Sequence, residues 1–202
     1  MHTTEQVRSL TPAARTILDT AGRLFYERGI AAVGVDAIAA EAGVTKKTMY
    51  DQFGSKAALV VAYLEERDQD FRHLVESSVA EQDGPARVLA VFDALGEWMD
   101  GRSPQGCAFV HAHGELVGSP EHPAHDVIRA QKAWLRELFE DLLASDGHEH
   151  PHAGATQLVV LIEGATVLRS ISEVPNAIAE ARRVAELIID RRAGIPAGEE
   201  AA

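Results

Sequence analysis

The sequence predicts an all-α protein of about nine helices. Three observations carry that expectation: helix caps followed by Pro or by apolar residues at intervals of three and four; Gly, Pro and Asn clusters between such stretches; and no convincing run of alternating β-branched residues. Packing must hold the fold. The single cysteine, Cys107, excludes an intrachain disulfide and a multi-cysteine zinc site.

Thr11 caps the first helix with Pro12 at its first position, and Ile17, Ala21, Leu24 and Phe25 form its apolar stripe before Gly29 ends it. A second, short helix spans 35–42, with Ile38, Ala39 and Ala42 inward, and Gly43 breaks it. Thr45 caps a third that runs to about Phe53. Gly54-Ser55 closes it and opens a long fourth helix to about Glu81, with Leu59, Tyr63, Phe71, Leu74 and Val75 on related faces. Asp83-Gly84-Pro85 starts a fifth through Met99. Helices over 106–117 and 123–144 flank Gly118-Ser119-Pro120, and a polar, histidine-bearing loop over 145–152 precedes a very apolar helix over 153–172. Val174-Pro175-Asn176 introduces the last helix, to about Arg192. The tail 193–202 has no core-forming pattern and is expected to be disordered.

Composition narrows the function. No run of about twenty apolar residues occurs, which excludes a spanning helix, and the first fifteen residues lack the apolar core of a signal peptide. The expected location is the cytoplasm, with no membrane partner. The net charge of -12 is unusual for a chain that meets nucleic acid, yet it is unevenly spread. Residues 1–60 hold seven Lys/Arg against six Asp/Glu, a charge of +1, so residues 61–202 carry -13. An acidic remainder repels DNA and helps turn the near-neutral part toward it.

The segment from Val33 to Leu59, VGVDAIAAEAGVTKKTMYDQFGSKAAL, is the most informative in the chain. Ala39 is small where two helices approach closely, Gly43 supplies a turn, and Val44 fills the angle: a helix-turn-helix. Lys46, Lys47, Thr48 and Tyr50 follow on a short helix anchored by Met49 and Phe53, and these are groups that contact phosphates and base edges. At AGVTKKTMYDQFGSKAAL, with Leu24-Phe25 and Gly29 before it, the sequence resembles the tetracycline-repressor (TetR) family. That resemblance covers residues 11–60. It implies that Thr45 caps a recognition helix, that Lys46, Lys47 and Thr48 face DNA, and that Tyr50 and Lys56 each hold a phosphate. Val33-Gly34 stands where the family often has a Thr or Ser cap, Lys47 where Gly is common, and Asp51 where an aromatic or His is common, so base preference does not carry over.

The implied organisation is a helix-turn-helix DNA-binding domain over 1–54 and a helical ligand-binding and dimerisation domain over 55–192. The helix 158–168 is apolar nearly all round, which calls for burial on two sides. Ile178, Ala181, Val184, Ala185 and Ile188 offer a matching face, so the last two helices could form a four-helix bundle across a two-fold axis, as the resemblance also implies. Trp98, Phe109, His113, Trp134 and Leu161 are candidates to line an effector cavity, although the aromatic residues serve a packed core equally well. Arg67, between Tyr63 and Phe71, points inward toward an effector or toward an acid such as Glu115 or Glu163, or else snorkels.

The expected function is a repressor, with no cofactor, that leaves its operator when a small hydrophobic or amphipathic effector binds. An alternative is a metal-sensing DNA-binding regulator using its histidines. His111 and His113 have the wrong spacing for one helix face; His122 and His125, beside Asp126, have the right one; His148, His150 and His152 read as a solvated loop. An enzyme would have to use His113 with Glu115, or His122 with Asp126. No activated nucleophile, phosphate-cradling loop or metal triad accompanies them, and the protein is read as a non-enzyme.

Overall fold

The computed structural model describes residues 10–190, and the tail expected over 193–202 lies outside them. Nine α-helices and no strand occur among the described residues: α1 (Pro12–Arg28), α2 (Val35–Glu41), α3 (Lys46–Phe53), α4 (Lys56–Ala80), α5 (Ala86–Gly101), α6 (Ala108–Leu116), α7 (Ala124–Ser145), α8 (Pro151–Ser170) and α9 (Ala177–Asp190). None is long and apolar enough to cross a membrane.

Local chemistry sets most of the ends. The Thr11 hydroxyl accepts from Ala14 N–H, Thr45 from Thr48 N–H and Ser55 from Ala58 N–H, each satisfying a donor that a helix start leaves open. Two starts differ from the expectation. The sixth helix begins at Ala108, because Gly106 has φ 102 and its carbonyl accepts from the buried Ser103 hydroxyl at 2.8 Å, which holds 103–106 as a turn. The eighth begins at Pro151, whose fixed φ suits the first helical position, so His152 belongs to the helix and contacts Glu140 at 3.1 Å.

The helices gather in two compact units. The first comprises α1 to α3, α4 as far as Arg67, and residues 108–128, which hold α6 and the first turn of α7. Ile17, Leu24, Ile38, Met49 and Leu59 are fully buried in it, and Gly22 lets the Tyr63 ring approach α1 closely, since a Cβ there would lie 3.1 Å from it.

The second unit holds the rest of α4, α5, the rest of α7, α8 and α9. Phe92 and Phe139 pack at 6.0 Å in a core with Met99, Leu135, Leu143 and Leu158. Arg87, at the start of α5, pairs with Asp146 just after α7, whereas Arg102, just after α5, pairs with Asp70 in α4. Helix α5 is therefore antiparallel to both, and α4 and α7 run parallel within this unit. α9 lies on α5 and α8, burying Ile178, Ala181, Ala185 and Ile189 inside the protomer. Ala181 and its neighbours are thus core, and the exposed apolar residues of α9 are Val184 and Leu187.

Candidate nucleic-acid interface

Helices α1, α2 and α3 are in mutual contact, and α3 carries the residues predicted to face DNA. Gly43, at φ 66, turns the chain between α2 and α3 at a conformation that would strain any side chain, and Val44 N–H donates to Ala39 carbonyl at 3.0 Å. Helix α2 starts at Gly34 with no side-chain cap, as the missing hydroxyl at 33–34 leads one to expect. Met49 pins α3 from beneath and is fully buried, which leaves Lys46, Lys47 and Tyr50 exposed and Thr48 half-buried. Thr45 and Thr48 hydroxyls lie 2.8 Å apart.

Both lysines rest on acids of their own domain: Lys46 on Asp36 at 3.0 Å and Lys47 on Asp51 at 2.6 Å. The hydrogen bond to Asp36 raises the Lys46 ammonium above its ordinary value, with Coulomb attraction second. Such exposed pairs are worth little in water, so they present little obstacle to the phosphate contacts the sequence predicts. The Asp51→Asn protein should bind non-specific duplex about three- to tenfold more tightly at low salt if α3 meets DNA as the sequence predicts, since a negative charge is removed from that helix and Lys47 is freed. Anisotropy titrations at two salt concentrations measure it; unchanged affinity would show that Asp51 does not face the duplex.

Lys56 is placed differently from the other cations. Its Nζ donates to the Ile30 carbonyl at 2.6 Å, tying the first turn of α4 to the loop between α1 and α2. Burial lowers its pKa, opposed by the nearby Glu115 carboxylate. Glu115, on α6, grips the same loop from the other side: its two oxygens accept from Ile30 N–H at 3.0 Å and Ala31 N–H at 2.7 Å. Gly29, at φ 88, fits under that carboxylate, since a Cβ there would lie 3.1 Å from an oxygen. A recess lined by Phe25, Tyr26, Tyr63, Ala108, Ala112 and Glu115 lies beside this latch. Removing the amine in Lys56→Ala should lower stability by about 1 kcal/mol and weaken specific and non-specific DNA alike. Thermal melts and binding titrations read the two effects separately.

The remaining candidates fall into the two units. Arg67 is half-buried with its guanidinium 4.4 Å from the centre of the Tyr26 ring, a cation-π contact within the first unit. Glu163, one of its nominated partners, instead accepts from Lys132 at 2.6 Å. Phe109 is buried, and His113 is exposed, its ring edge-on to His125 at 5.9 Å. In the second unit Trp98 and Trp134 converge on one ring, that of Phe71, at 5.4 and 6.3 Å, and Leu161 packs against the same core. His122 Nδ1 accepts from Ala124 N–H at 3.2 Å at the start of α7, and burial, with His125 second, lowers its pKa. Among the described residues, no group of three His, Cys, Asp or Glu side chains is placed to hold a metal ion.

Sequence reasoning misses the role of Glu115, which it offers only as a partner for Arg67 or an acid-base group; nothing local marks a contact 84 residues away. It also passes over Asp68 and Gln131, which do leave a signal. Each is the one polar residue in an otherwise apolar stripe, Leu64-Asp68-Phe71-Val75 and Ile128-Gln131-Leu135-Phe139.

A capped recognition helix held across a glycine turn, with lysines and a tyrosine exposed, defines a helix-turn-helix DNA-binding regulator. Residues 17–63 match the family described as bacterial regulatory proteins, tetR family. Across the chain, the structure is similar to SCO4454, a TetR-family transcriptional regulator from Streptomyces coelicolor, with 30% identity and a TM-score of 0.82 over 88% of this chain and 94% of that one. The protein belongs to the TetR family of transcriptional regulators. Other relatives differ in the sign of their effect. The transcriptional repressor DhaR from Mycobacterium sp. strain GP1 is 30% identical over 64% of this chain and 61% of its own. The transcriptional activator FasR from Mycolicibacterium smegmatis is 28% identical over 72% of this chain and 65% of its own.

Proposed function

We propose that the protein is a homodimeric repressor that leaves its operator when a small hydrophobic or amphipathic effector binds its C-terminal helical region. In this reading residues 1–54 form the DNA-binding domain and 55–192 the effector and dimerisation domain. Thr45 caps the recognition helix, Lys46, Lys47 and Thr48 meet the major groove, and Tyr50 holds a phosphate. Lys56 serves the interface chiefly by fixing the reading head. The effector is recognised by residues drawn from Arg67, Trp98, Phe109, His113, Trp134 and Leu161.

The observation that carries the proposal is the double hold on the loop ahead of α2. Lys56 of α4 takes its carbonyl, and Glu115 of α6 takes two of its amides. A shift of either helix therefore moves the reading head as a body. Two recognition helices must sit about 34–36 Å apart to read half-sites one turn of DNA apart, so displacement by a few ångströms spoils simultaneous contact.

Replacing Lys47 and Tyr50 together, as Lys47→Ala with Tyr50→Phe, should weaken operator binding by about 10- to 100-fold without changing the melting temperature. Both side chains are exposed and their loss opens no cavity. Anisotropy with operator found by selection from a random duplex pool is the measurement, and unchanged affinity would remove these residues from the interface.

A further inference from the structure

Three buried side-chain oxygens accept no hydrogen bond from any described residue: Asp68 Oδ1, Gln131 Oε1 and Asp146 Oδ2. Asp146 lies beside Arg87, at the far end of α7 from Gln131. The other two belong to the opposite end of the second unit, where Arg72 joins the two helices, pairing with Asp68 and standing 4.5 Å from the Trp134 ring centre. Helices α4 and α7 run parallel there, and Phe71 meets Trp134 at 6.3 Å. Asp68 precedes Phe71 by three residues and Gln131 precedes Trp134 by three, so both sit about one turn, some 4.5 Å, to the same side of that contact. Gln131 is only 4% exposed.

Leaving buried acceptors unmade is costly, and a side chain kept in that state at an apolar face calls for a ligand that supplies donors. The aromatic groups above them point to the ligand's body. Phe71, Trp98 and Trp134 form one contiguous group; Trp134 is half-buried with the Arg72 guanidinium 4.5 Å from its ring centre, and Arg102 stands 5.2 Å from that of Trp98, so an incoming ring meets the free edges of this group. The polar groups of this end are already matched cation to carboxylate: Arg72 to Asp68 Oδ2 at 2.8 Å, Arg102 to Asp70 at 2.6 Å, Lys132 to Glu163 at 2.6 Å. What is left over is acceptor capacity, which suits a donor and offers an incoming carboxylate nothing. The long-range field has the same sign, since residues 61–202 carry -13.

We infer that the effector is an arylalkyl amine, its ring against Phe71, Trp98 and Trp134 and its ammonium group donating to Asp68 Oδ1 and Gln131 Oε1. This rests on the proposal that the C-terminal region binds an effector, and adds the chemical class. Burial already pushes the Asp68 carboxyl above its usual range, against the opposing hydrogen bond and charge of Arg72, so its ionised form gains from a second cation.

Three probes of one skeleton test it on the full chain: 1-naphthylmethylamine, 1-naphthylmethanol and 1-naphthoate. Quenching of tryptophan emission reports binding, because Trp98 and Trp134 are the two tryptophans of the chain. The amine should bind at least tenfold more tightly than the alcohol, and the carboxylate most weakly. Asp68→Asn, nearly isosteric, should lower amine affinity at least tenfold and leave alcohol affinity unchanged, and Gln131→Met should lower amine affinity several-fold. Calorimetry repeats the ranking should either variant alter the emission itself. Equal binding of amine and alcohol, preference for the carboxylate, no binding of any probe, or indifference of the amine to both variants would overturn the inference. Operator release separates the two readings. Amine binding that leaves operator affinity intact defeats effector-driven release and preserves the amine site; release by another compound that ignores both variants does the reverse.

Discussion

A glutamate in place of Leu187 is expected to yield a folded monomer whose operator affinity is down by about 10²- to 10⁴-fold, the gain that linking two half-site readers supplies. Leu187 is 62% exposed on α9, and α8 beside it exposes Val160, Val167 and Leu168, continued by Ile171 just past its end, a stripe at helical spacing with Gly164 among them. Single exposed apolar residues are ordinary, whereas a contiguous set on two packed helices marks an association face. In the proposed dimer this face meets its own copy across a two-fold axis. The same charge at Ala181 should instead unfold the protomer, because that side chain is 7% exposed and faces its own core. Sedimentation velocity at micromolar concentration, with anisotropy on operator, distinguishes these outcomes. Wild-type monomers would rule out the dimer, and a dimer that survives Leu187→Glu would move the interface elsewhere.

Glu115→Ala is expected to combine lost stability with lost response. Two charge-assisted hydrogen bonds to backbone disappear, and Ile30, whose side chain is buried, leaves its N–H without its acceptor. The cost is about 2–3 kcal/mol, or roughly 4–12 °C in melting temperature for a chain of this size. Operator affinity should fall several-fold as the reading head loosens, and effector-driven release should shrink, because one of the two holds on the loop is gone. Glu115→Gln keeps one oxygen to accept from one amide and should restore part of both. A merely structural role would restore stability in step with neither affinity nor response. Full effector response in Glu115→Ala would exclude the latch from signal transmission.

Elements whose ends depend on local chemistry are legible in the order of the amino acids. The Thr11-Pro12 and Thr45 caps, the Gly43 turn and the Gly54-Ser55 junction each specify a backbone conformation within four residues, and they suffice to place α1 to α4. The resemblance to a DNA-binding family rests on that same stretch, where the spacing of small, apolar and basic residues is fixed by how two short helices meet. Even the uncapped start of α2 can be read at Val33-Gly34.

Packing decides the features that involve partners far apart in the chain. Which side of α9 faces inward depends on α5 lying across it, and so Ala181 is core while Leu187 stays exposed, though periodicity treats both as apolar helix residues. Lys56, a phosphate ligand by its motif, turns toward the Ile30 carbonyl 26 residues back because the loop leaves that acceptor within reach. Glu115 finds its amides across 84 residues, and Asp68 and Gln131 are neighbours of one aromatic contact only because α4 and α7 run parallel. Conformation follows from sequence where the deciding atoms are a few bonds apart; burial and pairing depend on which surfaces the packed helices bring together, and no local pattern encodes that.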